Sequence, residues 1–274
     1  MRTTQLMVSL PKGRVNKNKA FQHSGVDYAS PFDLKLSKGR STKTYNGFIC
    51  IFICLVTKAI HIELVSDMTS LGFLAAFRKF TARKGSCSHL YSDNGTNFVG
   101  ANKERLKMNR QFLQILSPDV RAQTENEGTC WSFISPASPH VGGLWESAVK
   151  SVKYHLKRIL FNRIHSYDEM YTLLVQIKAS LNSRPLCPLT DDPMDLSVLT
   201  PAHFLIGEPT NIVPKPSLLD LKTTDSTDGN ISNKCFSTFG IDGTRNFYHA
   251  FNNVQSGPNP KKTSKEMIYS HHQR

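Results

Sequence analysis

Residues 48–65 read FICIFICLVTKAIHIELV, and this stretch decides the fold. Its first part, FICIFICLV at 48–56, is almost wholly apolar and rich in β-branched and aromatic side chains. Such a run predicts a strand buried on both faces. It is far shorter than the roughly 20 residues a helix needs to cross a bilayer. Thr57 and Lys58 interrupt it, and AIHIELV follows. There Ile60, Ile62 and Leu64 alternate with His61 and Glu63, the pattern of a half-buried strand.

Upstream, HSGVDYASPFDLKL at 23–36 alternates loosely and predicts a further strand, joined to the apolar run by the turn-rich SKGRSTKTYNG. Three strands with short links predict an antiparallel meander. Downstream, Phe73, Phe77 and Phe80 recur at helical spacing within Thr69–Arg83, and Gly85 follows as a stop. SHLYSD then predicts a short strand ending at Asp93, residues 98–116 a helix, and WSFISP at 131–136 another strand. A helix beginning near Gly143 carries Trp145, Ala148, Val149, Val152, Leu156, Ile159 and Leu160 on one stripe. A second places Met170, Leu173, Leu174, Ile177 and Leu181 on one face and stops before Arg184-Pro185. The order predicts an α/β fold: a mixed five-stranded sheet flanked by helices. Residues 1–20 read as a basic lead-in, 21–212 as the core with a helical extension, and 213–274, rich in Ser, Thr, Asn and Gly, as a poorly structured tail.

The formal net charge of +13 favours a polyanionic partner, nucleic acid before an anionic membrane. The six cysteines form no CxxC pair, which argues against a zinc finger and suits free thiols in a reducing compartment. MRTTQLMVSLPKGR lacks an apolar stretch of signal-peptide length, so an intracellular location, nucleus or cytoplasm, is expected. His23, His61, His89 and His140 show no metal-ligand spacing and read as structural or exposed, although His140 precedes Glu146 closely enough to approach a substrate. Asp191, Asp192 and Asp195 read as a solvated loop cluster.

Three carboxylates stand apart. Asp27 lies inside a predicted strand, where Asp is disfavoured. Asp93 ends a strand before the Asn94-Gly95 turn, on the rim of a sheet where ligands gather. Glu146 falls in the expected first turn of its helix, where an acid would simply complement the helix dipole. Taken singly, each has an ordinary structural explanation. Lys150, Lys153 and Lys157, however, follow Glu146 at helical spacing and share its face, away from the apolar stripe. That row exceeds what one Glu needs, and a phosphate backbone would use it. Acids converging from two strands and a helix offer oxygen ligands to hard divalent cations, which can assist in-line displacement at phosphorus.

Several motifs in order carry a resemblance: LPKGRV, GVDYASPF, YSDNGTNFVGAN, SPHVGGLWESAVKSVKYHLKR, LNSRPL and LTPAHFLIG. Over about Leu10 to Ile212 the chain resembles the integrase catalytic core of BEL/Pao-type long-terminal-repeat retrotransposons, within the retroviral integrase superfamily. The resemblance implies an RNase H-like fold and a D,D,E triad on Asp27 in GVDY, Asp93 in SDNG and Glu146 in GLWE, holding Mg²⁺ or Mn²⁺. It implies contacts to DNA ends from Lys150 and Lys153, a position near target DNA for Thr96, and assembly into homo-oligomers. The interval from Asp93 to Glu146 exceeds the retroviral spacing, with the extra length in residues 101–130. A flanking HHCC zinc domain and a basic C-terminal domain are usual in such relatives. Neither is expected here, and a core without them should keep metal chemistry yet lose full strand transfer.

The function expected is a metal-dependent DNA polynucleotidyl transferase that processes element ends and joins them to target DNA. Its alternative is a nucleic-acid-binding relic without chemistry. A nuclease or transposase of the same superfamily, or a basic protein-interaction scaffold, would differ in the products formed and in the role of the lysine row.

Overall fold

A computed structural model describes residues 12–36, 43–115, 128–134, 139–160, 164–190 and 197–209. The apolar run forms β2 (Thr44–Cys54), which begins within the expected turn and ends where Leu55–Thr57 reverse the chain toward β3 (Ile60–Val65). Strand β1 (His23–Lys35) pairs antiparallel with β2, and β2 pairs antiparallel with β3, so the meander is present. The register of β1 on β2 shifts between Ala29 and Phe32. Pro31 lies at this irregularity; it has no N–H to give a ladder, and a bulge accommodates it.

The chain continues through α2 (Ser70–Lys84), β4 (His89–Ser92), α3 (Thr96–Ile115), β5 (Cys130–Phe133) and α4 (Pro139–Leu160), after a single helical turn, α1 (Lys12–Val15), at the start. That turn falls within the stretch read as a basic lead-in. Strands β4 and β5 join in parallel, giving the order β3-β2-β1-β4-β5. This is the mixed five-stranded sheet expected of an RNase H-like fold. A two-residue strand, β6 (His165–Ser166), adds to the far end of β1, and α5 (Tyr167–Asn182) follows. Two elements were not anticipated: a small β7–β8 pair (Cys187–Pro188 with Val198–Leu199) and a short α6 (His203–Ile206). The tail expected at 213–274 and the Asp191, Asp192 and Asp195 cluster lie outside the described residues, as does the His140 side chain.

Alternation along β2 divides the core. Ile49, Ile51 and Ile53 pack with Trp145, Val152 and Leu156 of α4 and Met170, Leu174 and Ile177 of α5. Cys50, Phe52 and Cys54 face the other way, into Phe73, Phe77 and Phe80 of α2 and Phe98 of α3. Phe52 and Phe80 stack with ring centroids 4.2 Å apart. Each face of the sheet thus carries its own helical layer.

Strand β3 departs from the sequence expectation. It is buried throughout rather than on one face. His61 and Glu63 turn into the α2 side, where Glu63 accepts a 2.7 Å hydrogen bond from His61 and a 2.5 Å ion pair from Arg83 of α2. The two polar residues pair with each other and with Arg83 instead of forming a solvent face, while the buried His61 Nδ1 finds no hydrogen-bond partner. Burial holds the His61 imidazole below its ordinary pKa, so the ring is neutral and donates. Burial also pushes Glu63 up, but the His61 bond and the Arg83 charge outweigh it and leave Glu63 below the ordinary range.

Candidate metal and nucleic-acid site

Strand register brings the two aspartates together. His23, Ser24 and Gly25 of β1 pair in parallel with His89, Leu90 and Tyr91 of β4. Asp27 and Asp93 each lie two positions beyond the Gly25–Tyr91 pair. They therefore leave neighbouring strands, roughly 4.8 Å apart, at the same level of the sheet. A two-residue step also returns each side chain to the face of its predecessor. Tyr91 packs with the core under α4, as does Ile51, the partner of Asp27 on β2.

Helix α4 supplies the third acid. It begins at Pro139, about a turn before the expected start near Gly143, so Glu146 lies roughly two turns inside it. The helix-dipole explanation for Glu146 therefore lapses. What fixes Glu146 is the residue before it. Trp145 is buried flat against β1, and a Cβ at Gly25 would collide with its indole ring. The absence of a side chain at Gly25 lets α4 settle onto β1 two residues from Asp27. A Cβ at Gly142 would lie 3.0 Å from Glu146 Oε1 and 3.5 Å from Ile134 at the end of β5, which places the Glu146 carboxylate beside that strand end.

Electrostatics tie the cluster together. Burial raises the Asp27 carboxyl from 3.8 to about 6, and the charges of Asp93 and Glu146 push the same way. The Tyr28 amide, which donates to Asp27 Oδ1 at 2.7 Å, and the Lys153 ammonium oppose the rise. Asp93 Oδ1 accepts from the Gly95 amide at 3.1 Å, the Asx turn expected of Asp-Asn-Gly. Asn94 donates to the Ile134 carbonyl at 2.8 Å and pins the same turn to the end of β5. Trp131 donates its indole N–H to Ser92 Oγ, whose hydroxyl in turn donates to the Asp93 carbonyl, each at 2.9 Å. Sequence reasoning missed Asn94, Ser92, Trp131 and the Gly25–Trp145 contact. Only the Asn-Gly pair in SDNG gave any signal of them.

The lysine row is not uniform. Lys150 and Lys157 are exposed, whereas Lys153 is half-buried and acts on Asp27. Tyr154 lies on the shoulder of the row, with the Arg158 guanidinium 4.6 Å from its ring centroid. Thr96 is exposed at the first position of α3. His23 and His89 stack at 4.5 Å, at the end of β1 and β4 away from the acids.

Asp27, Asp93 and Glu146 are all oxygen donors, the set a hard divalent cation prefers, and their mutual repulsion is of the kind a cation relieves. No three His, Cys, Asp or Glu side chains are gathered to ligating distance among the described residues.

Solved structures to which the chain is similar include retroviral ones. The chain is similar to a chain of the simian T-cell lymphotropic virus intasome in complex with PP2A regulatory subunit B56 gamma, at 15% identity and a TM-score of 0.45, covering 80% of this chain and 65% of that one. It spans just under two thirds of that viral chain. It is also similar to the trimeric form of the HTLV-2 integrase catalytic core domain in complex with magnesium, at 15% identity and a TM-score of 0.41, covering 68% of this chain and 97% of that one. The BIV integrase catalytic core domain matches at 14% identity and a TM-score of 0.41, covering 68% and 95%. No family model matches the sequence, and no curated protein matches it significantly.

Proposed function

We propose that this chain is the catalytic core of a BEL/Pao-type retrotransposon integrase, a polynucleotidyl transferase that joins element DNA ends to target DNA. One observation carries the reading: Asp27 and Asp93 leave adjacent parallel strands at one level, and Glu146 on the helix above them raises the same Asp27 carboxyl. Asp27, Asp93 and Glu146 would hold Mg²⁺ or Mn²⁺, which supplies Lewis-acid activation of oxygens and charge neutralisation at the scissile phosphate.

The chain's own residues do the rest. The Tyr28 amide orients Asp27, the Asp-Asn-Gly turn orients Asp93, and Trp145 seats Glu146. Lys153 balances charge beside Asp27, while Lys150 and Lys157 face outward to hold phosphates. Thr96, at the head of α3, stands near the path of target DNA. No protein nucleophile is required: water serves in end processing, and a DNA 3′ hydroxyl serves in joining. Homo-oligomeric assembly and action in the nucleus or cytoplasm belong to the same reading. No helix among the described residues is long and apolar enough to cross a membrane.

Incubating the protein with branched DNA and Mn²⁺ tests the proposal by product analysis. Newly joined DNA supports it. Cutting without joining indicates a nuclease, and DNA binding without either indicates a relic.

A further inference from the structure

Helix α3 carries a second basic face that the carboxylate site does not use. Lys103, Lys107 and Arg110 recur at helical spacing with Gln111 and Gln114, and all five are exposed. They line a groove of about 370 Å³ together with Leu106. Lysines on an exposed helix are ordinarily just solvated. Three features point further here. No carboxylate pairs with Lys103, Lys107 or Arg110 among the described residues. Glu104 stands only at the edge of the arc the five residues share. The two glutamine amides extend the cationic row with neutral donors, a mixture suited to phosphate oxygens along a backbone.

Position strengthens the point. Asp93 is followed almost at once by Thr96, the first residue of α3, so the helix starts beside the carboxylates and leads away from them. At a rise of about 1.5 Å per residue, Lys103 to Gln114 lie roughly 10 to 27 Å along the axis from Thr96. That span is less than one turn of duplex DNA, roughly 34 Å. Arg78 of α2 reaches α3 at Met108 Sδ, 3.4 Å away, and adds a further cation beside the row.

We infer that the α3 face grips the phosphate backbone of duplex DNA within one helical turn of the reacting phosphate. The inference rests on the proposed function for its geometry, but the contact is made by α3 residues outside the carboxylate cluster.

Fluorescence anisotropy of a labelled duplex, titrated in chelator over a range of salt, tests it without chemistry. The variant K103E/K107E/R110E is compared with K103Q/K107Q/R110Q and with K150Q/K157Q on α4. If three phosphate contacts are lost, the slope of log affinity against log salt becomes shallower by about 2.7. The glutamine variant should show the same slope change with a smaller loss of affinity. An unchanged slope and affinity in both α3 variants, with the α4 variant weakened, overturns the inference and leaves the proposed function standing. Conversely, weakened α3 variants in a protein that never joins DNA uphold the grip and overturn the chemistry.

Discussion

Replacing Asp27 with Asn should make the metal-free protein more stable at neutral pH. The carboxyl is raised from 3.8 to about 6, chiefly by burial. Between those values the folded state binds more protons than the unfolded chain, so stability falls as pH rises through the window and stays lower above it. At about 1.4 kcal/mol for each tenfold change in proton affinity, the ceiling of this penalty is about 3 kcal/mol. Asp27 keeps some contact with solvent, which screens its charge and brings the expected gain of Asp27→Asn to about 1–2 kcal/mol. For a domain of this size that is roughly 2–8 °C in Tm. The assay is thermal unfolding of both proteins in chelator from pH 7.5 down to pH 4. The gap should be full at pH 7.5, shrink below pH 6 and vanish near pH 4. Adding Mg²⁺ should raise the Tm of the native protein and leave Asp27→Asn unmoved, since a ligand stabilises only the state that binds it. A variant no more stable than the native protein at pH 7.5, or a gap indifferent to pH, would refute the reasoning.

Other outcomes follow from named contacts. Gly25→Ala forces a methyl into the Trp145 indole and should cost about 1–3 kcal/mol by urea unfolding, with a shift in tryptophan emission. Glu63→Ala leaves the buried His61 Nε2 without its acceptor, while the part-exposed Arg83 turns to solvent, and should cost about 1–3 kcal/mol. Since Glu63 is held below its ordinary value, the native protein's advantage over that variant should fade as pH falls through the acid range, measurable by unfolding at successive pH values. Asn182 bonds both the amide and the carbonyl of Ile60, at 2.8 and 2.9 Å, so Asn182→Ala should cost about 1–3 kcal/mol and speed hydrogen exchange at β3.

Much of this architecture was legible in the sequence, for reasons that can be located. FICIFICLV predicted a strand buried on both faces because no polar residue interrupts it, and each face of β2 does meet a helical layer. AIHIELV misled because alternation cannot distinguish a solvent face from a buried polar network. His61 and Glu63 find each other and Arg83 only once α2 is folded over the edge strand. The start of α4 was misread because Gly142 and Gly143 suggest a break, while Pro139, well suited to a first helical position, marked the true start. The acids were legible as residue types, but their meeting depends on the parallel register of β1 and β4, which no local pattern encodes. In LNSRPL, Asn182 and Arg184 tie α5 to Ile60 and Lys58, contacts across more than a hundred residues that no local pattern encodes.

The central claim is that Asp27, Asp93 and Glu146 jointly serve one metal-dependent DNA-joining centre. Disintegration of branched DNA in Mn²⁺ by the native protein, Asp27→Asn, Asp93→Asn and Glu146→Gln tests it most directly. The account predicts joined product from the native protein alone, with folding and DNA binding retained in all three variants. Activity surviving in Asp93→Asn or Glu146→Gln would contradict it.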